Sequence, residues 1–383
     1  MVNNSVPMAS IVIVNYNGKV FLERCLNSVL QQDCKNYEVL LVDNASSDGS
    51  ADFVAERFPW VKLIKSTKNN GFTGGNNLGI ALAASDYIVL LNNDTTVETT
   101  WLSSLIKLAD SDKAIGAVGS KIVFYKKFLP VVFSTESFIP RNRGVSPDTR
   151  PLGFRLKGQP EFTGTDYSKI FFEAGFYGIE WDSLNQCDFQ WTSGLARVYV
   201  PYNEGQNEYF LSMNAAGEYS GENKIVYVSI GDTLIGSITT GDKFCEFKLM
   251  IDKNIITKYG VDILNNAGSY RKFGGIAGDI GFGEVDRQQF DQQRELNNLC
   301  GGSVLLKRDM LSKIGTFDER LFMYYEDVDL FWRAQKQGWK LLYCPVSVVT
   351  LKPGNSCPGF GISRIGVLRS GSELVFLVYP VSL

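Results

Sequence analysis

Apolar residues in the first 125 positions follow two periods, one typical of strands and one typical of helices. Ile11–Val14 is a continuous β-branched run, which suits a strand buried on both faces. From Val20 to Leu30 the apolar residues recur at helical spacing. This alternation predicts a mainly parallel sheet covered by helices. The further predicted elements are strands at Tyr37–Val42, Val61–Ile64, Tyr87–Leu91 and Ile115–Val118, and helices from Ser47 or Asp48 towards Phe58, over Leu78–Ala84 and over Trp101–Leu108.

The pattern changes near Lys126. From about 127 to 258, aromatic and β-branched runs alternate with turn residues at a spacing near ten, which is typical of an antiparallel sandwich. Residues 259–297 are rich in Gly, Asp and Gln and predict ordered loops. We therefore expect an α/β domain built from residues 1–126 and 259–383, with an all-β domain at 127–258 between them. The later α/β elements are strands at Ser303–Lys307 and Trp339–Tyr343 and helices at Arg308–Ile314 and Asp327–Gln337.

Composition restricts the chemistry of this chain. Its 383 residues include 38 basic and 41 acidic side chains, a balance that argues against a bulk nucleic-acid binder. Histidine is absent, so proton transfer must use carboxylates, Lys, Tyr or Cys. The seven cysteines are odd in number and form no C-x-x-C, which favours free thiols in a reducing compartment.

The chain ends give an expectation about location. Met1–Ser10 is polar and lacks the apolar core of a signal peptide, and no run of 18 apolar residues occurs. Leu374–Leu383 is apolar but too short to span a membrane, and fits a packed terminus or a weak membrane contact. We expect a cytoplasmic protein, with peripheral contact at the inner face of the membrane left open.

Two acidic residues follow predicted strands of the first segment. Asp43 comes after the second strand, and Asp94 follows Leu90-Leu91-Asn92-Asn93. Ligands of open parallel sheets bind at the carboxyl ends of the strands, so these acids point to one shared site. The alternative is that Asp43 and Asp48 only shape a turn and cap a helix.

A glycine-rich segment, 69–77, lies between these acids. It could present backbone N–H groups to a phosphate at a helix start. Glycine and asparagine also form ordinary turns, and the segment matches neither a P-loop nor G-x-G-x-x-G.

Three carboxylates crowd the predicted start of a helix at Phe322–Leu330. One interpretation is that Glu326, Asp327 and Asp329 cap the helix, because helix N-termini tolerate anions. The aromatic neighbours could instead desolvate one carboxylate and raise its pKa, which suits a general base. Asp329 could also pair with Arg333 four residues later.

Taken in order, these segments resemble family 2 glycosyltransferases of the GT-A fold, in the subgroup described as rhamnosyltransferase-like. The resemblance covers Ala9–Tyr125 and about Ile263–Tyr343. It rests on Ile13–Gly18, the Asp43 segment, Asn70–Phe72, Gly75–Gly79, Leu91–Asp94, Gly301–Ser303, Gly315–Glu319 and Tyr325–Asp329.

The resemblance implies a role for each matching residue. Asp43 would hydrogen-bond the nucleotide base, and Asp94 would ligate Mg²⁺ or Mn²⁺ on the donor diphosphate. Asp327, paired with Glu326, would be the catalytic base of a single inverting displacement. Other implied nucleotide-sugar contacts are Asn15, Asn17, Asn44, Asn70, Gly75, Asn76, Asn92 and Asn93. The implied residues of the acceptor or donor pocket are Gly301, Gly302 and Tyr325.

The chain departs from the family pattern in four places. Asn92 replaces the first acid of the D-x-D motif, and Leu351 stands where many relatives have His. The sequence after Gly354 matches poorly. Roughly 130 residues intervene after Tyr125 where relatives need only a few. Aromatic residues of this inserted domain could stack on sugars or could form its core; the candidates are Trp181, Trp191 and Tyr202.

The sequence therefore favours an inverting transferase that moves a sugar from dTDP-rhamnose or a UDP-sugar to a glycan or lipid-linked glycan acceptor. A nucleotidyltransferase is opposed by the first strand, which ends in Asn15–Gly18 rather than in a glycine-rich loop. The remaining alternative is a degenerate glycosyltransferase that binds carbohydrate or acts as a scaffold. Asn92 and Leu351 favour it, whereas Asp43, Asp94 and Asp327 oppose it.

Overall fold

The computed structural model describes residues 6–144, 146–165, 170–218, 223–272 and 277–352, and two later strands. The chain divides into two compact units. The first comprises Met1–Tyr125 and Leu264–Leu383, and the second is Lys126–Ile263. The β-rich segment predicted at 127–258 falls inside the second unit, and its last six residues belong to a helix.

The first part of the chain alternates strands and helices, as the pattern predicts. Its strands are β1 (Ala9–Asn15), β2 (Tyr37–Asp43), β3 (Lys62–Lys65), β4 (Tyr87–Leu91), β5 (Thr95–Val97) and β6 (Ile115–Phe124). Its helices are α1 (Lys19–Leu30), α2 (Ser50–Arg57), α3 (Gly71–Leu82) and α4 (Trp101–Asp110).

The second unit is almost entirely antiparallel. Its strands are β7 (Lys127–Ser134), β8 (Arg155–Phe162), β9 (Phe171–Asp182), β10 (Cys187–Tyr202), β11 (Tyr209–Ala216), β12 (Lys224–Ile230), β13 (Thr233–Thr240) and β14 (Cys245–Ile251). A 3-10 turn lies at Pro140–Arg143, and α5 (Lys253–Tyr259) ends the unit's regular structure.

The last part of the chain returns to the first unit. Its strands are β15 (Leu264–Asn266), β16 (Ser269–Arg271), β17 (Ala277–Asp279), β18 (Arg294–Leu296), β19 (Ser303–Lys307) and β20 (Lys340–Leu351). Its helices are α6 (Arg308–Ile314), a 3-10 turn at Glu319–Leu321, and α7 (Glu326–Lys336). The strands β21 (Gly366–Ser370) and β22 (Glu373–Leu377) form a separate antiparallel pair. Most of the segment after Gly354, including Cys357 and the end of the predicted apolar tail, lies outside the described residues.

Ten strands of the first unit form one sheet in the order β18-β20-β6-β19-β4-β1-β2-β3, with β15 beside β6 and β5 beside β20. The neighbours of β1 and β2 are parallel, and so are β6 and β20. However, β19 lies antiparallel between β4 and β6. The sheet is therefore mixed rather than mainly parallel, because the chain returns from the second unit to fill this central position.

Both faces of this sheet are covered by helices. Along β1, Ile11 and Ile13 pack into the core beneath α1, α2 and α4, whereas Val12 packs into the core beneath α3, α6 and α7. The two-residue period of a strand thus supplies both cores from one continuous β-branched run. The α/β sheet and the separate all-β unit confirm the predicted fold class.

The second unit encloses a core of its own. Its eight strands belong to one hydrogen-bonded sheet, and strands near both ends of that sheet, such as β13 and β14, contribute to the same apolar cluster. Of the two roles left open for the aromatic candidates, Trp191 and Tyr202 have the core role, since both are buried in the unit's apolar clusters. Trp181 is 59% exposed and remains accessible.

Two further observations bear on the expectations about compartment. The six described cysteines are all free thiols. Across the described ranges, no helix is both long and apolar enough to cross a membrane.

Candidate active site

Polar side chains at the ends of β1 and β2 and after β4 meet at one edge of the sheet. Asn15 and Asp43 are register partners at the ends of β1 and β2. The Asn15 Nδ2 group donates to Asp43 Oδ1 at 3.3 Å, and Asn93 Nδ2 donates to Asn15 Oδ1 at 2.7 Å. Asn15 and Asp43 are both buried. The parallel register therefore brings together three residues that lie far apart in sequence.

Ser46 completes this group, and the sequence analysis did not single it out. Its backbone N–H donates to Asp43 Oδ2 at 3.1 Å, and its Oγ accepts from Asn15 Nδ2 at 3.1 Å. Its Oγ also accepts from the N–H of the exposed Asn17 at 2.9 Å. We call Asn15, Asp43, Ser46 and Asn93 the strand-end cluster. The only signal for Ser46 was its place in the turn after Asp43.

Three other asparagines on the nucleotide side use their side chains to hold the protein together. Asn44 Nδ2 donates to Asn69 Oδ1 and to Gly71 O, each at 2.9 Å, and Asn44 Oδ1 accepts from Asn70 N. Asn76 Nδ2 donates to the carbonyl of the residue four positions earlier, within α3. Asn70 Nδ2 donates to groups of the preceding loop. These amides shape the wall of the site.

The glycine-rich segment, for which the sequence left a phosphate-binding role and an ordinary structural role open, makes mainly structural contacts. It forms the first turns of α3, and its N–H groups are largely used by the protein. Gly71 N donates to Asn69 Oδ1, Thr73 N to Phe322 O, and Gly74 N to Asn70 O. Gly75 allows close helix packing, since a Cβ there would lie 2.7 Å from Val14 Cγ1.

Asp48 has the capping role that the sequence left open. Its Oδ2 accepts from Lys19 N at 2.9 Å, and its Oδ1 accepts from Ser50 N at 3.0 Å. One carboxylate thus serves the first turns of both α1 and α2. The N-cap position of α2 is Gly49 rather than Ser47 or Asp48.

Asp94 lies outside the strand-end cluster. It lines an open recess together with Phe21 and Arg24 of α1 and Thr350 and Lys352 at the end of β20. Lys352 N donates to Asp94 O at 2.9 Å. The recess therefore combines a carboxylate with two cationic side chains, which can neutralise phosphate.

The donor set permits only a weak protein site for a divalent cation. Leu351, at the place of the family histidine, pairs with Thr95 and carries no ligand atom in its side chain. Within the described part of the chain, no group of three or more Asp, Glu, Cys or His side chains is placed to hold a metal. Mg²⁺ is commonly held by one or two carboxylates plus substrate phosphates. The single carboxylate of Asp94 therefore suits a cation whose other ligands come mainly from a bound diphosphate.

The acid pair, Glu326 and Asp327, begins α7. The backbone just before it is unusual, with positive φ at Phe322, Tyr324 and Tyr325. Burial raises the pKa of Asp327 to about 6. Burial, together with the Asp327 charge, raises the pKa of Glu326 to about 7. Both carboxyls are therefore tuned towards neutral pH, where a general base works best.

Asp327 is tied to the loop between β18 and β19. Its Oδ2 accepts from Gly301 N at 3.3 Å, and its Oδ1 accepts from Val328 N at 2.7 Å. The next residue, Gly302, accepts from Asn92 N at 2.9 Å through its carbonyl. Two consecutive glycines thus join the acid pair to the Asn92–Asp94 segment.

The neighbouring residues of α7 are placed as follows. Tyr325 is exposed at the start of the helix. Asp329 pairs with Arg333, with Oδ2 and Nη2 2.8 Å apart, as the four-residue spacing predicts. Asp329 therefore belongs to a structural ion pair, and the acid pair stands apart from it.

Part of the chain is similar to a known protein family. Residues 10–176 match the family model described as Glycosyl transferase family 2. The matched range contains the strand-end cluster and Asp94, and it continues into the second unit.

Individual relatives share shorter or more distant similarity. A cholesterol galactosyltransferase of Borreliella burgdorferi is 29% identical over 134 residues, 34% of this chain and 36% of that protein. A chondroitin synthase of Pasteurella multocida is 21% identical over 320 residues, 82% of this chain and 29% of that protein. The matched regions thus span about a third of these relatives.

Among solved structures, a mannosyltransferase from Pyrobaculum calidifontis in complex with GDP-Man and Mn²⁺ is 26% identical. The match covers 30% of this chain and 36% of that chain, with a TM-score of 0.29, too low to carry an argument from shape. The family match over residues 10–176 and the named relatives show that this part of the chain is similar to family 2 glycosyltransferases.

Proposed function

We propose that the protein is a cytoplasmic inverting glycosyltransferase that acts in polysaccharide biosynthesis. It would move a sugar from dTDP-rhamnose or a UDP-sugar to a hydroxyl of a glycan or lipid-linked glycan. The observation that carries this proposal is the placement of Asp327. The Asp327 carboxyl has a raised pKa and accepts a hydrogen bond from Gly301 N. The next residue, Gly302, accepts a hydrogen bond from Asn92 N.

On the donor side, the strand-end cluster would bind the nucleotide. Asp43 keeps lone pairs beyond the two hydrogen bonds that it accepts from Asn15 and Ser46, so it can accept a further hydrogen bond from a base N–H. Because these contacts fix the carboxylate before the ligand arrives, little side-chain entropy is lost on binding.

The diphosphate would lie towards Asp94 and the cations of its recess. Arg24 and Lys352 would neutralise phosphate charge. A divalent cation bound with the diphosphate and Asp94 would stabilise the negative charge that develops on the leaving group.

Asp327 would carry out the proton transfer. Its ionised carboxylate takes the proton of an acceptor hydroxyl as the hydroxyl oxygen attacks the anomeric carbon. The bond from that carbon to the diphosphate breaks on the opposite face, and the nucleoside diphosphate leaves. A single displacement of this kind inverts the anomeric configuration and needs no nucleophilic residue.

Release of nucleoside diphosphate from a panel of dTDP-, UDP- and GDP-sugars, with Mn²⁺, Mg²⁺ or EDTA, tests the proposal. Slow hydrolysis of one donor is expected, reduced in Asp94→Ala and in Asp327→Asn. Each donor's binding is measured in parallel by calorimetry. Exposed Glu56 on α2 offers a matched control as Glu56→Gln.

The outcomes separate the proposal from the degenerate alternative. Donor hydrolysis that requires Asp94 and Asp327 supports the transferase. Absence of saturable binding for every donor would instead favour a carbohydrate-binding or scaffolding protein, in agreement with Asn92 and Leu351.

A further inference from the structure

We propose that Phe72 is a positioning residue for Asp327, because its ring packs on Gly301 and keeps the Gly301 N–H on the Asp327 carboxylate. This inference rests on the proposed function, in which Asp327 is the base. Phe72 belongs to the glycine-rich segment at the start of α3 and lies far from the acid pair in sequence.

The ring of Phe72 lies directly against the backbone of Gly301. A Cβ at Gly301 would lie 3.3 Å from Phe72 Cζ and 3.6 Å from Phe72 Cε1. The same Cβ would lie 3.8 Å from Asp327 Cβ, so the ring and the base both flank the side of Gly301 where a side chain would be. A larger residue at this position would crowd the tip of the ring.

Gly301 supplies a backbone donor to the proposed base from another part of the chain. Its N–H donates to Asp327 Oδ2 at 3.3 Å, whereas the Val328 N–H of α7 itself donates to Oδ1 at 2.7 Å. Because the longer bond joins a loop to a helix, it depends on how the loop is held. The Phe72 ring is the contact that holds the loop at this point.

The ring itself has a fixed orientation. Phe72 and Phe317 meet edge to face, with their ring centroids 5.9 Å apart. Asn77, further along α3, holds Phe317 by two hydrogen bonds, since its Nδ2 donates to Phe317 O at 2.9 Å and its Oδ1 accepts from Phe317 N at 3.0 Å. Thr73 N donates to Phe322 O at 3.2 Å, so the same helical turn also holds the segment that leads to the acid pair.

This packing determines how well one hydrogen bond is made. A backbone N–H that donates to a carboxylate favours its ionised form, and the Gly301 bond lowers the pKa of Asp327 against the larger effect of burial. Without the ring tip, Gly301 can move away from the carboxylate. The pKa of Asp327 should then rise further, and its carboxylate should be less well oriented for proton transfer.

The other ionisable groups that act with Asp327 are untouched by a change at Phe72. The charge of Asp279 on β17 also raises the pKa of Asp327, and the Asp327 charge raises the pKa of Glu326. Burial raises the pKa of the Cys300 thiol, which therefore stays neutral. A change in the titration of Asp327 thus reports the Gly301 contact.

The Gly301 amide can report this hydrogen bond directly. Cys300-Gly301 is the only Cys-Gly step in the sequence, so protein with carbonyl-labelled cysteine and nitrogen-labelled glycine gives a single peak in an HNCO spectrum. In the wild type, the amide shift should follow pH with a midpoint of about 6. This transition should be absent from Asp327→Asn.

Phe72→Leu removes the tip of the ring and keeps an apolar side chain against the core that Phe72 joins. The midpoint should rise by about half a pH unit or more, and the amplitude should shrink. With the donor that the wild type hydrolyses, kcat should fall about tenfold at unchanged affinity for nucleoside diphosphate. Phe72→Met fills the space with a flexible chain and should give smaller changes of the same sign.

Phe53→Leu on α2 is the matched control. Phe53 is also partly buried, and it meets Phe58 edge to face at the same centroid distance of 5.9 Å. It packs into the core beneath α1, α2 and α4, on the other face of the sheet. Its substitution removes comparable packing and should leave the Gly301 titration and kcat as in the wild type.

The outcomes keep this inference distinct from the proposed function. A Phe72→Leu titration with the wild-type midpoint and amplitude would overturn the inference, as would equal effects of Phe72→Leu and Phe53→Leu. A wild-type Gly301 amide that does not follow Asp327 would overturn it too. Titrations as expected, in a protein that neither binds nor hydrolyses any donor, would count against the proposed function instead.

Discussion

The strand-end cluster and the acid pair use opposite physical means to prepare polar groups. Asn15, Asp43 and Ser46 are linked by hydrogen bonds that the register of two parallel strands makes possible. Glu326, in contrast, has a buried Oε2 without a partner among the described residues, and Asp327 is desolvated. One region is satisfied before a ligand arrives, and the other is held in an unfavourable state.

This difference assigns separate tasks to the two regions. A preorganised hydrogen-bonded cluster binds its ligand more tightly and in a defined orientation, because its groups need not rearrange. A desolvated carboxyl has a higher proton affinity and gains reactivity, at a cost in stability. Substitutions in the strand-end cluster should therefore change binding, whereas substitutions in the acid pair should change rate, pH dependence and stability.

The largest expected effect separates rate from binding at Asp327. Asp327→Asn keeps the size of the side chain but cannot accept the proton, so kcat should fall roughly 10²–10⁴-fold. The affinity for nucleoside diphosphate should be unchanged. Steady-state kinetics with calorimetry on the same preparation measures both. A variant with the wild-type rate would remove Asp327 from the role of base.

A smaller effect is expected at the other end of the comparison. Asp43→Ala removes the acceptor of two hydrogen bonds and a proposed contact to the base. Nucleotide affinity should weaken about tenfold to hundredfold, with a smaller change in the rate at saturating donor. Calorimetric titration of UDP and dTDP measures the loss. If Asp43→Ala binds as the wild type does, the cluster is structural only.

The two regions also differ in how far the sequence could predict them. The strand-end cluster follows from local pattern, because strand period and strand ends are visible around Asn15 and Asp43. The glycine-rich segment was harder, since Thr73 N bonds to Phe322, 249 residues later. No local pattern can reveal that partner.

Non-local pairing explains the remaining differences. The position of β19 between β4 and β6 depends on strands nearly 200 residues earlier, so the mixed sheet could not be read from periodicity. The support of Asp327 is non-local as well, because its Oδ2 accepts from Gly301 N, 26 residues earlier in the chain.

The pH dependence of the rate tests the reactive region alone. Because Asp327 must be ionised to act as a base and its pKa is about 6, kcat should fall about tenfold for each unit of pH below 6. A pH–rate profile between pH 4.5 and 8.5 measures this limb. The residual rate of Asp327→Asn should lack it. An acidic limb near pH 4 would show that the carboxyl is not desolvated in the working enzyme.

The smallest expected effect concerns the stability cost of the acid pair. The Glu326 pKa is raised from 4.5 to about 7, so the folded state binds a proton more tightly than the unfolded state. Its stabilising contribution is therefore complete below about pH 4.5 and is lost as pH rises through about 7. Glu326→Gln cannot ionise and should be about 1–3 kcal/mol more stable than the wild type at pH 8. The two proteins should differ little at pH 4.5.

Urea unfolding at both pH values measures this, with Glu56→Gln as an exposed control that should show no such dependence. Equal stability at pH 8 would mean that water or a reorganised helix start already solvates Glu326, and the contrast between the two regions would then be one of geometry alone.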